Sequence, residues 1–180
     1  MRIIRGTYKG RRFEIPHTLK ARPTTDFAKE ALFNILDNRL NYEELSVLDL
    51  FSGTGSIGLE FVSRGARTVY CFEQYAVHTR FIRSVVEKLG IQNLRLIQGD
   101  AYQYIHKHPQ VFDVIFADAP YNDPRLMELP DLIFEAGLLK PGGLLVVEHS
   151  KLQHFDMHPH WEETRVYGSV RFSFFSQKKP

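Results

Sequence analysis

Val47-Leu48-Asp49-Leu50-Phe51-Ser52-Gly53-Thr54-Gly55-Ser56-Ile57-Gly58 is the stretch on which the reading of the whole chain turns. Residues 47–51 are apolar apart from Asp49, the pattern of a short strand buried on both faces. Gly53, Gly55 and Gly58 then follow in the spacing G-x-G-x-x-G. Glycines there let the backbone turn tightly and let a ligand approach it closely. An ordinary strand–helix turn would carry the same glycines, so the motif takes its meaning from its surroundings.

Downstream, short apolar runs alternate with helical patterns. Strands are expected over 47–51, 68–72, 94–98, 112–117 and 144–148. Helices are expected over 57–64, 76–89, 102–106 and 129–136. That alternation implies a parallel sheet covered by helices on both faces. The tail differs: 164–167 and 170–175, joined by Gly168-Ser169, read as an antiparallel hairpin. The expected fold is Rossmann-like α/β, a mostly parallel sheet ending in that hairpin. No linker or internal repeat divides the chain, so 1–180 is read as one domain.

Three acids sharpen the first motif. Asp49 lies in the first strand, Glu73 follows the second and Asp100 follows the third. In an open α/β sheet all three fall at the carboxyl edge, where ligands bind. Glu73 is placed to hold two ribose hydroxyls, and Asp100 to meet an adenine amino group. A dinucleotide would use an acid like Glu73, but its pyrophosphate would sit badly among so many carboxylates. A cationic nucleoside without phosphates fits better, and S-adenosylmethionine is such a ligand. Phe51, Ser52, Gly53, Gly55, Gln74 and Ala101 complete the expected cofactor contacts.

Asp118-Ala119-Pro120-Tyr121 follows the fourth strand at the same edge. Methyl transfer to an exocyclic amine needs the nitrogen lone pair freed from the base ring. A carboxylate and a backbone carbonyl that accept both N–H bonds would draw the amine toward tetrahedral geometry. Asp118 supplies the first, and the carbonyl of Ala119 or Pro120 the second. Tyr121 can stack on an extruded base. Catalysis then rests on positioning and electrostatics. Asp118, Pro120 and Tyr121 are the expected catalytic group.

Upstream, residues 1–22 hold Arg2, Arg5, Lys9, Arg11, Arg12, Lys20 and Arg22 against Glu14 alone. The remainder carries 16 of the 23 basic residues and 20 of the 21 acidic ones. A basic arm on an acidic body suggests that the arm meets a polyanion. Residues 2–6 and 12–15 flank Tyr8-Lys9-Gly10 as a hairpin, with Tyr8 and Phe13 interleaved among the charges. Arg2, Arg5, Lys9, Arg11, Arg12 and Arg22 are the expected RNA contacts. Thr24, Thr25 and Asp26 offer N-caps for a helix bearing Ala28, Leu32, Ile35 and Leu36 on one face.

The chain has 180 residues, 43% of them hydrophobic and 24% charged, enough for a continuous core and unlike a disordered chain. Its single cysteine, Cys71, excludes an internal disulfide framework and fits a reducing compartment. No apolar run reaches the ~18 residues of a membrane span, and the first residues do not read as a signal peptide. A cytoplasmic monomer without metal or membrane is expected. His154, His158 and His160 lack a partner at recognisable metal spacing. Cys71, Trp161, Phe172, Phe174 and Phe175 read as core. Glu148 and His149 end the fifth strand and receive no role.

The chain resembles the bacterial small-subunit (16S) rRNA guanine-N2 methyltransferases, a class I S-adenosylmethionine-dependent family. The likeness spans nearly all of it. It rests on the arm 2–11, on Arg22-Pro23-Thr24, on Asp49 through Glu60 with Ser63-Arg64-Gly65-Ala66, on Asp118-Ala119-Pro120-Tyr121 and on Tyr167-Gly168-Ser169. The resemblance implies a seven-stranded sheet and methylation of one guanine in 16S rRNA, in the small subunit or an assembly intermediate. One departure stands out: the family pattern has two prolines after the acid, where this chain has Ala119 and Pro120. The same motif serves adenine-N6 methyltransferases on DNA or RNA, which is the first alternative. A catalytically weak RNA-binding or assembly protein with the same fold is the second.

Overall fold

The computed structural model describes residues 1–19, 25–107 and 110–177; Arg22, Lys20 and Thr24 lie outside them. Seven strands form one sheet: β1 (Ser46–Asp49), β2 (Thr68–Glu73), β3 (Leu94–Gln98), β4 (Phe112–Ala117), β5 (Leu139–His149), β6 (Trp161–Tyr167) and β7 (Val170–Ser176). Their order is β3-β2-β1-β4-β5-β7-β6. The strands β1 to β5 pair in parallel, and β7 pairs antiparallel with both β5 and β6. The order reverses between β1 and β4, and such a switch point opens a crevice at the carboxyl ends.

Side chains alternate across the sheet with the two-residue period of a strand. Val47, Val69, Cys71, Val114, Phe116, Val146, Phe172 and Phe174 face one cluster. Leu48, Ile115, Ala117, Leu145, Val147 and Phe175 face the other. Burial on both sides explains why the sequence shows continuous apolar runs here. The first cluster takes residues from α1 (Asp26–Asp37), α2 (Ser56–Ser63) and α3 (Ala76–Leu89). The second takes residues from α4 (Ala101–Lys107) and α5 (Leu129–Glu135). Thr25 caps α1 by accepting from the Ala28 amide at 3.2 Å. Among the described residues, no helix is long and apolar enough to cross a membrane.

Two boundaries differ from expectation. The strand β5 begins at Leu139, five residues early, and carries Pro141-Gly142-Gly143 through a register shift against β4. Proline and glycines read as a turn, but a bulge keeps them in the strand. The strand β6 begins at Trp161 rather than at residue 164.

The basic hairpin closes on one antiparallel bridge, Arg2 with Arg12. The Ile3 amide donates to Arg11 O at 3.0 Å and the Gly10 amide to Ile3 O at 2.9 Å. It is docked rather than free. The Ile4 and Arg5 amides donate to the two carboxylate oxygens of Glu60 in α2, at 2.9 and 3.0 Å. Fully buried Lys29 of α1 donates to Arg2 O at 2.5 Å and to Ser56 Oγ at 2.9 Å. Gly6 takes φ +85°, and a Cβ there would lie 1.7 Å from Ser63 O, so only glycine permits this approach. Tyr8 and Phe13 pack on the first cluster instead of standing among the charges.

Candidate active site

The glycine turn is built by local backbone bonds. The Gly55 amide donates to Ser52 O at 2.6 Å, and Ser52 Oγ donates to Asp49 O at 2.8 Å. Gly55 is the N-cap of α2 at φ 74°, in the left-handed region that favours glycine. Gly58 serves packing: a Cβ there would lie 2.3 Å from Cys71 Sγ. Its absence lets α2 lie close against β2. This is a cradle that a ligand's backbone-binding groups fit.

Four carboxylates line one face of the carboxyl edge. Asp49 ends β1 and Glu73 ends β2; Asp118 follows β4, and Glu148 lies next to last in β5. Asp49 is in register with Cys71 and Phe116, and Ala117 with Val147. By the two-residue period, all four acids share the face of Cys71, Phe116 and Val146. Asp49 Oδ2 accepts from the Gly58 amide at 3.0 Å. Glu73 Oε2 accepts from the Gly53 amide at 2.7 Å, and its Oε1 from the Tyr75 amide at 2.8 Å. Asp49 and Glu73 therefore shape the cradle with one or more lone pairs, out of about four on each carboxylate.

Burial pushes the Asp49 carboxyl up to about 7, and neighbouring Glu73 adds to the rise. Asp118 is raised well above the usual carboxylate range, first by burial, then by Glu148 and Asp49. A site that strains to hold its own negative charge favours a cation. For Asp49 the sign follows directly: the folded state holds its proton where an unfolded aspartate does not. The folded protein therefore loses stability through this group as pH rises from about 4 to 7. Asp49→Asn keeps an acceptor for the Gly58 amide and removes the ionisation. Wild type is thus expected to lose stability relative to Asp49→Asn between pH 5 and 7, read by denaturant unfolding at each pH. Parallel curves would mean that Asp49 is already ionised in the folded state across this range, as it is in the unfolded chain.

The remaining expected residues fall at the same edge or just beside it. Asp100 Oδ1 accepts from the Gln103 amide at 3.0 Å and so holds the start of α4, where Ala101 is buried. Phe51 packs edge-on against Tyr102, ring centres 5.7 Å apart. Gln74 and Pro120 are exposed. Tyr121 is 39% exposed, and its hydroxyl donates to Glu148 Oε1 at 3.0 Å. The Pro120 carbonyl accepts from the Asp123 amide at 2.8 Å. Ala119 is fully buried.

Glu148 is the residue sequence reasoning missed; its one signal was its place at the end of a strand. Gln153 was missed too: its Nε2 donates to Tyr121 O at 3.1 Å, so Tyr121 is held at both hydroxyl and main chain. His149 is structural, bonded through Nδ1 to Ser150 O and through Nε2 to Ser173 Oγ. His158 meets Asp131 at 3.1 Å, and His160 stacks on Phe134.

Of the six expected RNA contacts, five fall among the described residues, and Arg22 lies outside them. Arg2 pairs with Asp26 at 3.1 Å and Arg5 with Asp37 at 2.8 Å. Lys9, Arg11 and Arg12 are exposed on the hairpin.

The fold and its carboxyl-edge site define a class I methyltransferase, whose methyl donor is S-adenosylmethionine. The chain belongs to the family described as "Conserved hypothetical protein 95", whose model matches residues 1–176. It is 34% identical over 148 residues to the ribosomal RNA small subunit methyltransferase D of Buchnera aphidicola subsp. Baizongia pistaciae, covering 82% of this chain and 75% of that protein. The Escherichia coli K12 protein of the same name is 32% identical over 149 residues, 82% and 74% covered. Among solved structures, a putative methyltransferase yhhF from Escherichia coli superposes with TM-score 0.86 at 26% identity, covering 100% of this chain and 99% of that one.

Proposed function

We propose that this protein transfers a methyl group from S-adenosylmethionine to the exocyclic N2 of a guanine in 16S rRNA, within the small subunit or an assembly intermediate. The observation that carries the reading is the row of four carboxylates beside the glycine cradle, two of them with raised proton affinity. A sulfonium and an ammonium are the charges such a row accepts. The names of the relatives support the RNA class.

When bound, S-adenosylmethionine supplies an electrophilic methyl and leaves as S-adenosylhomocysteine. The chain's own residues do the rest. Gly53, Gly55 and Ser52 give backbone close to the methionine portion, Glu73 takes the ribose hydroxyls, and Asp100 takes the adenine amine. Gln74, Ala101 and Phe51 frame the adenine. Asp118 accepts one N–H of the target amine, and the Ala119 carbonyl accepts the other. The Ala119 carbonyl is the better choice because Pro120's already serves the Asp123 amide. As the nitrogen becomes positive, Asp118 stabilises it and its raised proton affinity suits it to take the released proton. Tyr121, fixed by Glu148 and Gln153, stacks on the extruded base.

The test offers radiolabelled S-adenosylmethionine with naked 16S rRNA, small-subunit particles and DNA in parallel, followed by nucleoside mass spectrometry. N2-methylguanosine in rRNA is the expected product. N6-methyladenosine would establish the adenine alternative, and cofactor binding without turnover the assembly-protein one.

Phosphate contact by the hairpin has its own test. Arg11→Ala with Arg12→Ala is expected to weaken RNA binding. It should also flatten the slope of log affinity on log salt by about 0.7–0.9 per lost phosphate contact. Both side chains are exposed and neither is among the residues expected to hold the cofactor, so cofactor affinity should hold. Equal salt slopes would remove this pair from the RNA interface.

A further inference from the structure

We infer that Glu148 reads the N1 position of the target base and is the residue that selects guanine over adenine. This rests on the guanine-N2 reading above and names the side chain that would enforce it.

Asp118 and Glu148 occupy the next rung beyond the Ala117–Val147 pair of the parallel strands β4 and β5. By the strand period their side chains leave the sheet on the same face. Glu148 is 4% exposed, so its carboxylate is held within the edge rather than in bulk water. Tyr121, the expected stacking residue, donates its hydroxyl to Glu148 Oε1 at 3.0 Å. That bond holds the Glu148 carboxylate beside the ring on which the base would stack. A carboxylate has about four lone-pair sites, more than a single tyrosine bond takes.

The Watson–Crick edges of the two purines differ in a way this pair can detect. Guanine presents three donors in a row: the two N2 hydrogens and N1–H. When ionised, two neighbouring carboxylates are acceptors only, and they match that row. If Asp118 and the Ala119 carbonyl take the amine, the adjacent carboxylate faces N1. Adenine presents an unprotonated N1 beside its amine, a lone pair directed at a carboxylate. A site built to bond an N–H discriminates strongly against an analogue lacking it, because its buried acceptor is then left unpaired. Glu148 thus acts by contact with the base, whereas Gln153 acts only through Tyr121.

2-Aminopurine keeps the 2-amino group, has an unprotonated N1 and also lacks O6, so the contact to Glu148 is read from the change of its ratio on substitution of Glu148. The RNA or particle that wild type methylates is rebuilt with 2-aminopurine at the target nucleotide, and kcat/KM is compared with guanine. Wild type is expected to favour guanine by roughly 10–100-fold, the scale of one good base contact. Glu148→Gln presents either an amide oxygen or an N–H, so it should bring that ratio toward one. Glu148→Asp keeps the charge and should preserve the preference at a lower rate. Equal use of both bases by wild type would overturn the inference. So would an unchanged ratio in Glu148→Gln while N2-methylguanosine remains the product, and that outcome leaves the guanine-N2 reading standing. N6-methyladenosine as the wild-type product would overturn both. If Glu148→Gln does not fold, the wild-type ratio and Glu148→Asp decide.

Discussion

Asp118→Asn is expected to lower the single-turnover methylation rate by roughly 10²–10³, the loss seen when one preorganised electrostatic group is removed. The substitution keeps the size of the side chain and removes its charge. It also offers the amine a donor where an acceptor is needed. The anionic acceptor matters most as positive charge grows on the nitrogen, so the loss falls on the rate of the chemical step. RNA affinity should change far less, because phosphate contacts dominate it. S-adenosylmethionine binding should survive, because the cofactor's expected anchors lie at the ends of the first three strands. Single-turnover kinetics with saturating cofactor and RNA separate the step from binding and release. A rate within threefold of wild type would make Asp118 a turn residue and end its catalytic assignment.

The strands and helices that build this edge were legible because they obey simple periods. Burial on both faces makes β1 and β4 read as apolar runs, and Gly55 and Gly58 mark where α2 starts and packs. What escaped the sequence involved pairs distant along the chain. Glu60 lies in a helix of wholly buried residues, and nothing local reveals that its oxygens hold the Ile4 and Arg5 amides 55 residues or more upstream. The hairpin therefore read only as a basic arm, whereas it is docked on α2 and its Arg2 and Arg5 form ion pairs with acids of α1. Glu148 escaped for the same reason. Its meaning comes from the register of β4 with β5, which brings it beside Asp118, and from the tyrosine hydroxyl 27 positions away. The Pro141-Gly142-Gly143 segment is the opposite case, where local turn chemistry is overridden by a bulge within an extended strand.

Glu73 carries the second large effect, for a reason that combines both kinds of information. Its place after β2 marks it for the ribose, and its two oxygens also brace the Gly53 and Tyr75 amides on either side of the cofactor crevice. Glu73→Ala removes two charge-assisted bonds to backbone along with the ribose acceptor. Hydrogen bonds to charged groups contribute about 1.5–3 kcal/mol each. Their sum is not additive when they share one side chain. Loss of one such bond to the ligand alone predicts S-adenosylmethionine binding weaker by about 10–100-fold. Glu73→Gln should not rescue it, because its amide nitrogen would point a donor at one of the two backbone donors. Calorimetry of cofactor binding, set beside denaturant unfolding without cofactor, separates the two roles. If Glu73 holds the ribose, affinity falls by more than the same variant's change in cradle stability explains. A variant that is destabilised yet binds S-adenosylmethionine within twofold of wild type would leave Glu73 a brace between Gly53 and Tyr75 and assign the ribose to another group.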